Sequence, residues 1–97
     1  MRRTLRFSPK AKADLDQIWD HSLKEWGPER AEAYIHTIRS ILNLMDQFPA
    51  MAKNAENIRP GLLKYAVGSH VLFLRITDRS INVVRILHQR MDHPRHL

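Results

Sequence analysis

The sequence contains no cysteine, which excludes disulfides and thiolate metal sites and fits a reducing compartment. Its three glycines are too scattered for a glycine-rich phosphate loop, and there is no Gly-x-Ser-x-Gly elbow to present a nucleophile. No apolar run approaches the roughly 18 residues of a membrane-spanning helix. The basic residues at the N-terminus are not followed by the apolar stretch of a secretory leader. Acidic residues are scarce: ten Asp and Glu stand against sixteen Lys and Arg, a formal charge of +6. These features predict one cytoplasmic domain over residues 1–97, with no membrane association and an anionic partner, either nucleic acid or an acidic protein.

Six histidines are present, but their placement carries no metal chemistry. His88, His93 and His96 match no ligand spacing, and His21 and His36 fall on helical stretches at no useful interval. No metal and no cofactor is expected.

The apolar pattern is regular. Thr4–Phe7 alternates, with Leu5 and Phe7 on one side, and reads as a strand. Ser8-Pro9 then opens a helix, Ser8 as cap and Pro9 at the first position, where its missing N–H costs nothing. Ala11, Leu15, Ile18, Trp19, Leu23 and Trp26 follow at steps of three and four and form its apolar face, with Lys12, Asp14, Asp16 and Lys24 mostly off it. Gly27-Pro28 ends this helix and starts a second, whose stripe is Ala31, Tyr34, Ile35, Ile38, Ile41, Leu42, Met45 and Phe48. Both tryptophans and Tyr34 are expected in the core. The short link predicts an antiparallel helical hairpin.

Residues 49–60 read as a loop. Beyond Gly61 the period changes to two, giving strands over Leu62–Val67, His70–Ile76 and Ile81–Leu87. The intervening turns, Gly68-Ser69 and Asp78-Arg79-Ser80, are short enough to force antiparallel neighbours. The predicted fold is α+β, in the order β-α-α-β-β-β, with the N-terminal helical hairpin packed on one face of a small, mainly antiparallel sheet.

Strand parity assigns faces. Leu72, Leu74 and Ile76 should face the helices, leaving Val71, Phe73 and Arg75 on the other side. In the last strand, Val84 and Ile86 are expected in the core and Arg85 on the helix-free face beside Arg75. Lys64, Arg59, Arg79 and Arg90 could rim that face. The expectation is an anion- or partner-binding surface; the competing structural role for each arginine is pairing with a carboxylate such as Asp78 or Asp92. Metal-free RNA cleavage needs a base, an acid and cations for the phosphorane. Arg75, Arg85 and His88 supply part of that set. The parity of His88 sets it opposite Arg85 unless a bulge or strand end turns it, and neither Tyr nor Glu completes the site, so no catalytic residue is assigned.

The blocks Ser8-Pro9-x-Ala11-x-x-Asp14-Leu15-x-x-Ile18-Trp19, Trp26-Gly27, Ile58-Arg59-Pro60-Gly61-Leu62, Val67-Gly68-Ser69-His70-Val71-x-Phe73-x-Arg75 and Val84-Arg85-Ile86-Leu87-His88-x-Arg90-Met91-Asp92, in that order, resemble the ParE branch of the RelE/ParE toxin superfamily over about residues 4–97. The resemblance implies a type II toxin–antitoxin module and a RelE/ParE-like fold. It further implies a toxin that inhibits DNA gyrase by binding, and a ParD-like antitoxin with a ribbon-helix-helix N-terminus and an acidic C-terminal tail, through which alone the toxin meets operator DNA. Arg75, Arg85, Arg90, Arg59 and His88 are the candidate target or anion contacts. Trp19, Leu23, Phe73 and Arg79 are the candidate antitoxin contacts. The alternatives are a RelE-like ribosome-dependent messenger-RNA nuclease and a degenerate, non-toxic co-repressor. The segment His88-Gln89-Arg90-Met91-Asp92 lacks the aromatic residue of many RelE-type nucleases, which argues against the first of these.

Overall fold

Residues 2–97 are described by a computed structural model. The chain runs β1 (Thr4–Phe7), α1 (Pro9–Trp26), α2 (Pro28–Gln47), a 3-10 turn (Pro49–Met51), β2 (Lys53–Asn54), β3 (Leu63–Val67), β4 (His70–Ile76), β5 (Ser80–His88) and the single-turn α3 (His93–His96). The Ser8 hydroxyl accepts the Ala11 N–H at 3.0 Å and donates to the Val84 carbonyl at 2.6 Å. One side chain thus caps α1 and moors it to the last strand. Gly27, at φ 86°, sends its N–H back to Leu23 O and starts α2 directly, so the hairpin turns on a conformation that favours glycine.

The five strands lie in the order β1-β5-β4-β3-β2. β1 pairs parallel with β5, from Thr4↔Ser80 to Phe7↔Val83, and the other neighbours are antiparallel. This is the expected α+β architecture, with two additions. β2 is only two residues long and α3 four, too short for either to show periodicity in the sequence.

One face of the sheet carries the main core. Ala11, Ile18, Ile38, Leu42 and Met45 of the hairpin meet Val67, Leu72, Leu74, Ile81, Val83 and Ile86. The opposite face is covered as well. Ala55 and Leu62 from the segment before β3 pack on Phe73 and Leu87, with Ile58, Val71, Val84 and the C-terminal Leu97 around them. The expectation of an open, helix-free binding face is therefore corrected, because a second small core fills it.

A β-bulge explains the error in β5. Phe73 pairs with Arg85 but Leu74 with Val83, leaving Val84 as the extra residue. The insertion shifts parity by one. Val83 therefore faces the helices and Val84 the second core, where strict alternation puts Val84 with Ile86.

The helical stripes are also narrower than their apolar residues suggest. Asp14 and Ser22 are buried on α1, while Leu23, Trp26 and Phe48 are 38%, 47% and 59% exposed. Trp26 is therefore not a core residue, Trp19 is only half-buried, and Tyr34 packs at the core's margin.

A second buried carboxylate ties the N-terminus down. Asp46, at the end of α2, accepts the backbone N–H groups of Arg2 (2.7 Å) and Arg3 (3.0 Å) and pairs with the Arg3 guanidinium at 3.3 Å. Burial opposes its ionisation, but these donors outweigh it and hold the carboxyl below its ordinary 3.8. A lowered folded-state value means the contribution to stability is present above about pH 4 and lost as the pH falls through the lowered value. Asp46→Asn should therefore lower the melting temperature at neutral pH, and should lose less stability than the unaltered protein between about pH 5 and 2. Parallel acid-denaturation curves for the two proteins would sink this account of the N-terminal clamp.

Candidate functional site

β1 pairs with β5 only as far as Val83. Beyond that point α1 takes over the strand edge through Asp14. Its carboxylate accepts Arg85 Nε at 2.8 Å and Arg85 Nη2 at 2.9 Å, and also the Ile86 backbone N–H at 2.9 Å. Arg85 Nη1 donates to the His96 carbonyl at 2.9 Å. The side chains of the pair are 16% and 10% exposed. Hydrogen bonding to the Asp14 carboxylate raises the Arg85 pKa further, against the opposing effect of burial. Arg85 is thus a fork joining α1, β5 and α3. The carboxylate that claims it comes from the first helix, not from Asp78 or Asp92.

The other candidates disperse. Arg75 projects toward the loop before β3 and donates to Pro60 O at 3.2 Å. Arg59 donates to the Leu97 carbonyl. Arg90 is exposed, and Arg79 lies at the exposed tip of the β4–β5 turn. Phe73 is fully buried, so it is no surface contact for an antitoxin. Of the remaining antitoxin candidates, Leu23 is exposed and Trp19 half-buried. Asp14 holds Arg85 at the edge of α1, where it and His88 line one groove, whereas Arg75, turned toward Pro60, lies outside it.

A groove of about 560 Å³ runs between α1 and the ends of β4 and β5. Ile18, Trp26, Tyr34, Ile86 and Met91 give it apolar walls, and His21, His70 and His88 line it with Lys10 and Arg85. Its far wall is a file of rings: Trp26 to Tyr34 at 6.2 Å, Tyr34 to His70 at 5.6 Å and His70 to His88 at 5.4 Å between centroids. Tyr34 anchors the file. Its hydroxyl donates to Val67 O at 3.0 Å, accepts the Ser69 N–H at 3.2 Å and lies 2.7 Å from His70 Nδ1. With the single hydroxyl proton assigned to the carbonyl, His70 must donate from Nδ1. Burial lifts the Tyr34 pKa, partly offset by the Ser69 N–H. Burial, then the neighbouring His88 and His21, push His70 below 6.5, against a smaller opposing pull from Asp14. A Cβ on Gly68 would meet Tyr34 Cε1 at 2.7 Å, and Gly68 has φ 56°, so this turn accepts only glycine beside the ring.

Sequence reasoning missed the groove because it assigned Trp26 and Tyr34 to the core and Asp14 to the solvent. One signal was available: Asp14 and Ser22 sit on the same helical face as Ala11 and Ile18, four residues either side of Ile18.

The family model described as "ParE toxin of type II toxin-antitoxin system, parDE" matches residues 5–93. The chain belongs to this family. It is 42% identical over 91 residues to Toxin ParE1 of Mycobacterium tuberculosis (strain ATCC 25618 / H37Rv), covering 93% of each chain. It is 40% identical over 92 residues to Toxin ParE1 of Caulobacter vibrioides, covering 95% of each. Among solved structures, it resembles one from the chromosomal ParDE toxin–antitoxin system of P. aeruginosa, with a TM-score of 0.73 and 25% identity over 90% of this chain and 96% of that one. The RelBE2 toxin–antitoxin complex of M. tuberculosis shares the fold, with a TM-score of 0.63 and 21% identity over 92% of this chain and 100% of that one. The architecture of this ParE toxin is therefore the RelE/ParE fold. No helix among its described residues is long and apolar enough to cross a membrane.

Proposed function

We propose that this ParE toxin inhibits DNA gyrase by binding, without catalysis of its own, and that a ParD-like antitoxin neutralises it. The observation that favours binding over RNA cleavage is the capture of Arg85 by Asp14. A guanidinium already committed to a carboxylate on two of its nitrogens is poorly placed to stabilise a phosphorane. Arg75, turned to Pro60 O, does not replace it, and His88, which lines the same groove as Arg85, adds no second guanidinium there.

The antitoxin reading rests on the groove beside α1. Its apolar walls, with Lys10 and the histidines at hand, suit an amphipathic helix with acidic flanks. The +6 charge suits fast, salt-sensitive capture of an acidic tail. Trp26, exposed at the end of α1, is one of those apolar walls.

The test is a gyrase supercoiling assay with the purified, folded toxin. Inhibition or accumulation of cleaved DNA is expected, with reversal by equimolar antitoxin. An unaffected gyrase at large toxin excess, together with codon-positioned cuts in translated messages by primer extension, would assign the protein to the nuclease branch instead.

A further inference from the structure

His70 and His88 are direct cross-strand partners on β4 and β5, so their side chains leave the sheet on the same face. Both are half-buried and both line the α1 groove, with ring planes at 82° to each other. Hydrogen bonds fix the two tautomers in opposite senses. His70 donates from Nδ1 to the Tyr34 hydroxyl, so its Nε2 holds a lone pair. The Arg90 backbone N–H, which can only donate, lies 3.1 Å from His88 Nδ1, so the His88 proton sits on Nε2. Neither Nε2 has a partner among the described residues, and no buried side-chain nitrogen or oxygen is unpaired there. Both Nε2 atoms therefore reach solvent, and the groove is the open space that the two rings share.

The neutral pair offers one donor and one acceptor. Protonation of His70 turns it into two neighbouring donors, which match the two oxygens of a carboxylate. The protein supplies no carboxylate for this position. Asp14 of α1 is the acid that lines the groove, and it is spent on Arg85 and the Ile86 N–H. The other titratable or charged groups along the groove are Lys10 and His21 of α1, Tyr34 of α2 and Arg85 of β5. A metal ion is a poorer match, because His88 turns its proton and not its lone pair toward the groove. No group of three ligating side chains exists among the described residues either.

We propose that the His70–His88 pair seats a carboxylate side chain of an acidic partner segment, and that His70 takes up a proton as the segment binds. The inference rests on the reading of the α1 groove as the antitoxin's seat, and it names the contact that makes capture depend on pH. Burial, then His88 and His21, hold His70 of the free toxin below 6.5, against a smaller pull from Asp14. Free His70 is therefore mostly neutral at pH 7.5. A carboxylate beside it favours the charged form. The value is raised in the complex, so the added affinity is fully present below the free-state value and is lost as the pH rises through the bound-state value. Between the two, affinity climbs with falling pH by at most about tenfold per pH unit, the limit for one proton.

The test has two arms, both on the full chain. In the first, the histidine ring signals are followed by NMR across a pH series with and without poly-L-glutamate. The His70 midpoint should rise by about one pH unit with the polymer. His36, exposed on α2 and outside the groove, should stay where it is. Equal movement of His36 and His70 would overturn the proposal in favour of diffuse charge attraction. In the second arm, calorimetry with a ParD-like antitoxin in phosphate and in Tris counts the protons exchanged on binding. Uptake of between about half and one proton is expected near pH 7, and His70→Gln should abolish it and flatten the pH dependence of the affinity. Uptake that survives His70→Gln would overturn the assignment to His70. His88→Ala, which leaves His70 and Tyr34 in place, should weaken antitoxin binding about tenfold, the usual worth of a hydrogen bond to a charged group. Undiminished affinity in that variant would overturn the paired seat. The arms also separate the two readings. A raised His70 with polyglutamate, but antitoxin binding without uptake, would keep the carboxylate seat and remove the antitoxin from the groove. An unmoved His70 together with antitoxin binding without uptake would overturn the carboxylate seat and leave the antitoxin reading standing.

Discussion

Asp14→Ala should lower the unfolding free energy by about 3 to 5 kcal/mol, the usual consequence of removing one partner of a buried ion pair. The substitution leaves the Arg85 guanidinium, only 16% exposed, without its bidentate acceptor. It also strips the Ile86 N–H of its acceptor at the strand edge that β1 does not reach. For a domain of this length each kcal/mol moves the melting temperature by about 4 to 8 °C, so thermal unfolding followed by circular dichroism should show a fall of at least about 12 °C. Arg85→Ala should also cost stability, but less, because Asp14 keeps the Ile86 N–H. The expectation from parity was different: an Arg85 on an open face could be removed with loss of binding alone. Asp14→Leu combined with Arg85→Met should recover most of the loss, since apolar replacement of both partners is often neutral or better. An unchanged melting temperature in Asp14→Ala would mean that the pair contributes nothing to stability and would return Arg85 to the list of target contacts.

Phe73→Ala should be comparably damaging, at about 3 to 5 kcal/mol for truncating a fully buried Phe. Phe73 has no exposed surface. It holds together Leu62 and Ala55 from the loop side, Leu87 from β5 and the His93 ring of the C-terminal turn. The cavity should release the C-terminal segment first, because α3 has no buried residues of its own and Leu97 attaches through this cluster. Carboxypeptidase digestion should therefore shorten the variant faster than the unaltered chain, in step with its lowered melting temperature. Antitoxin affinity, measured where the variant is still folded, should stay within about twofold, because a buried ring offers the partner no surface to lose. A variant with undiminished stability and sharply weakened antitoxin binding would restore Phe73 as a docking residue.

Legibility followed the range of the forces involved. The β4 boundaries, His70–Ile76, agree with the sequence reading because Gly68-Ser69 and Asp78-Arg79-Ser80 bracket a clean alternation. The Ser8-Pro9 and Gly27-Pro28 junctions likewise set the limits of the hairpin, since capping and the proline constraint act within one turn. Parity failed at Val84 because a bulge is one residue long and leaves the composition of the strand unchanged. Trp26 was placed in the core and Phe48 on the apolar stripe of the second helix, yet each sits where α1 or α2 ends and stands exposed.

The sequence alone determined the element order, the hairpin, the three C-terminal strands, the excess of positive charge and the resemblance to ParE toxins, all of which depend on local pattern and composition. Only the tertiary structure decided what Arg85 does. Its partner is 71 residues away, on a helix whose charged residues read as mostly off the apolar face, and the choice among Asp14, Asp78 and Asp92 depends on α1 lying along β5 beyond the end of its pairing with β1. The tertiary structure also decided that the helix-free face is closed, because the chain returns over it with residues 55–62 and its last turn. Neither segment carries a periodic signal, and each finds its place only because Phe73 and Leu87 present apolar surface that water would otherwise cover.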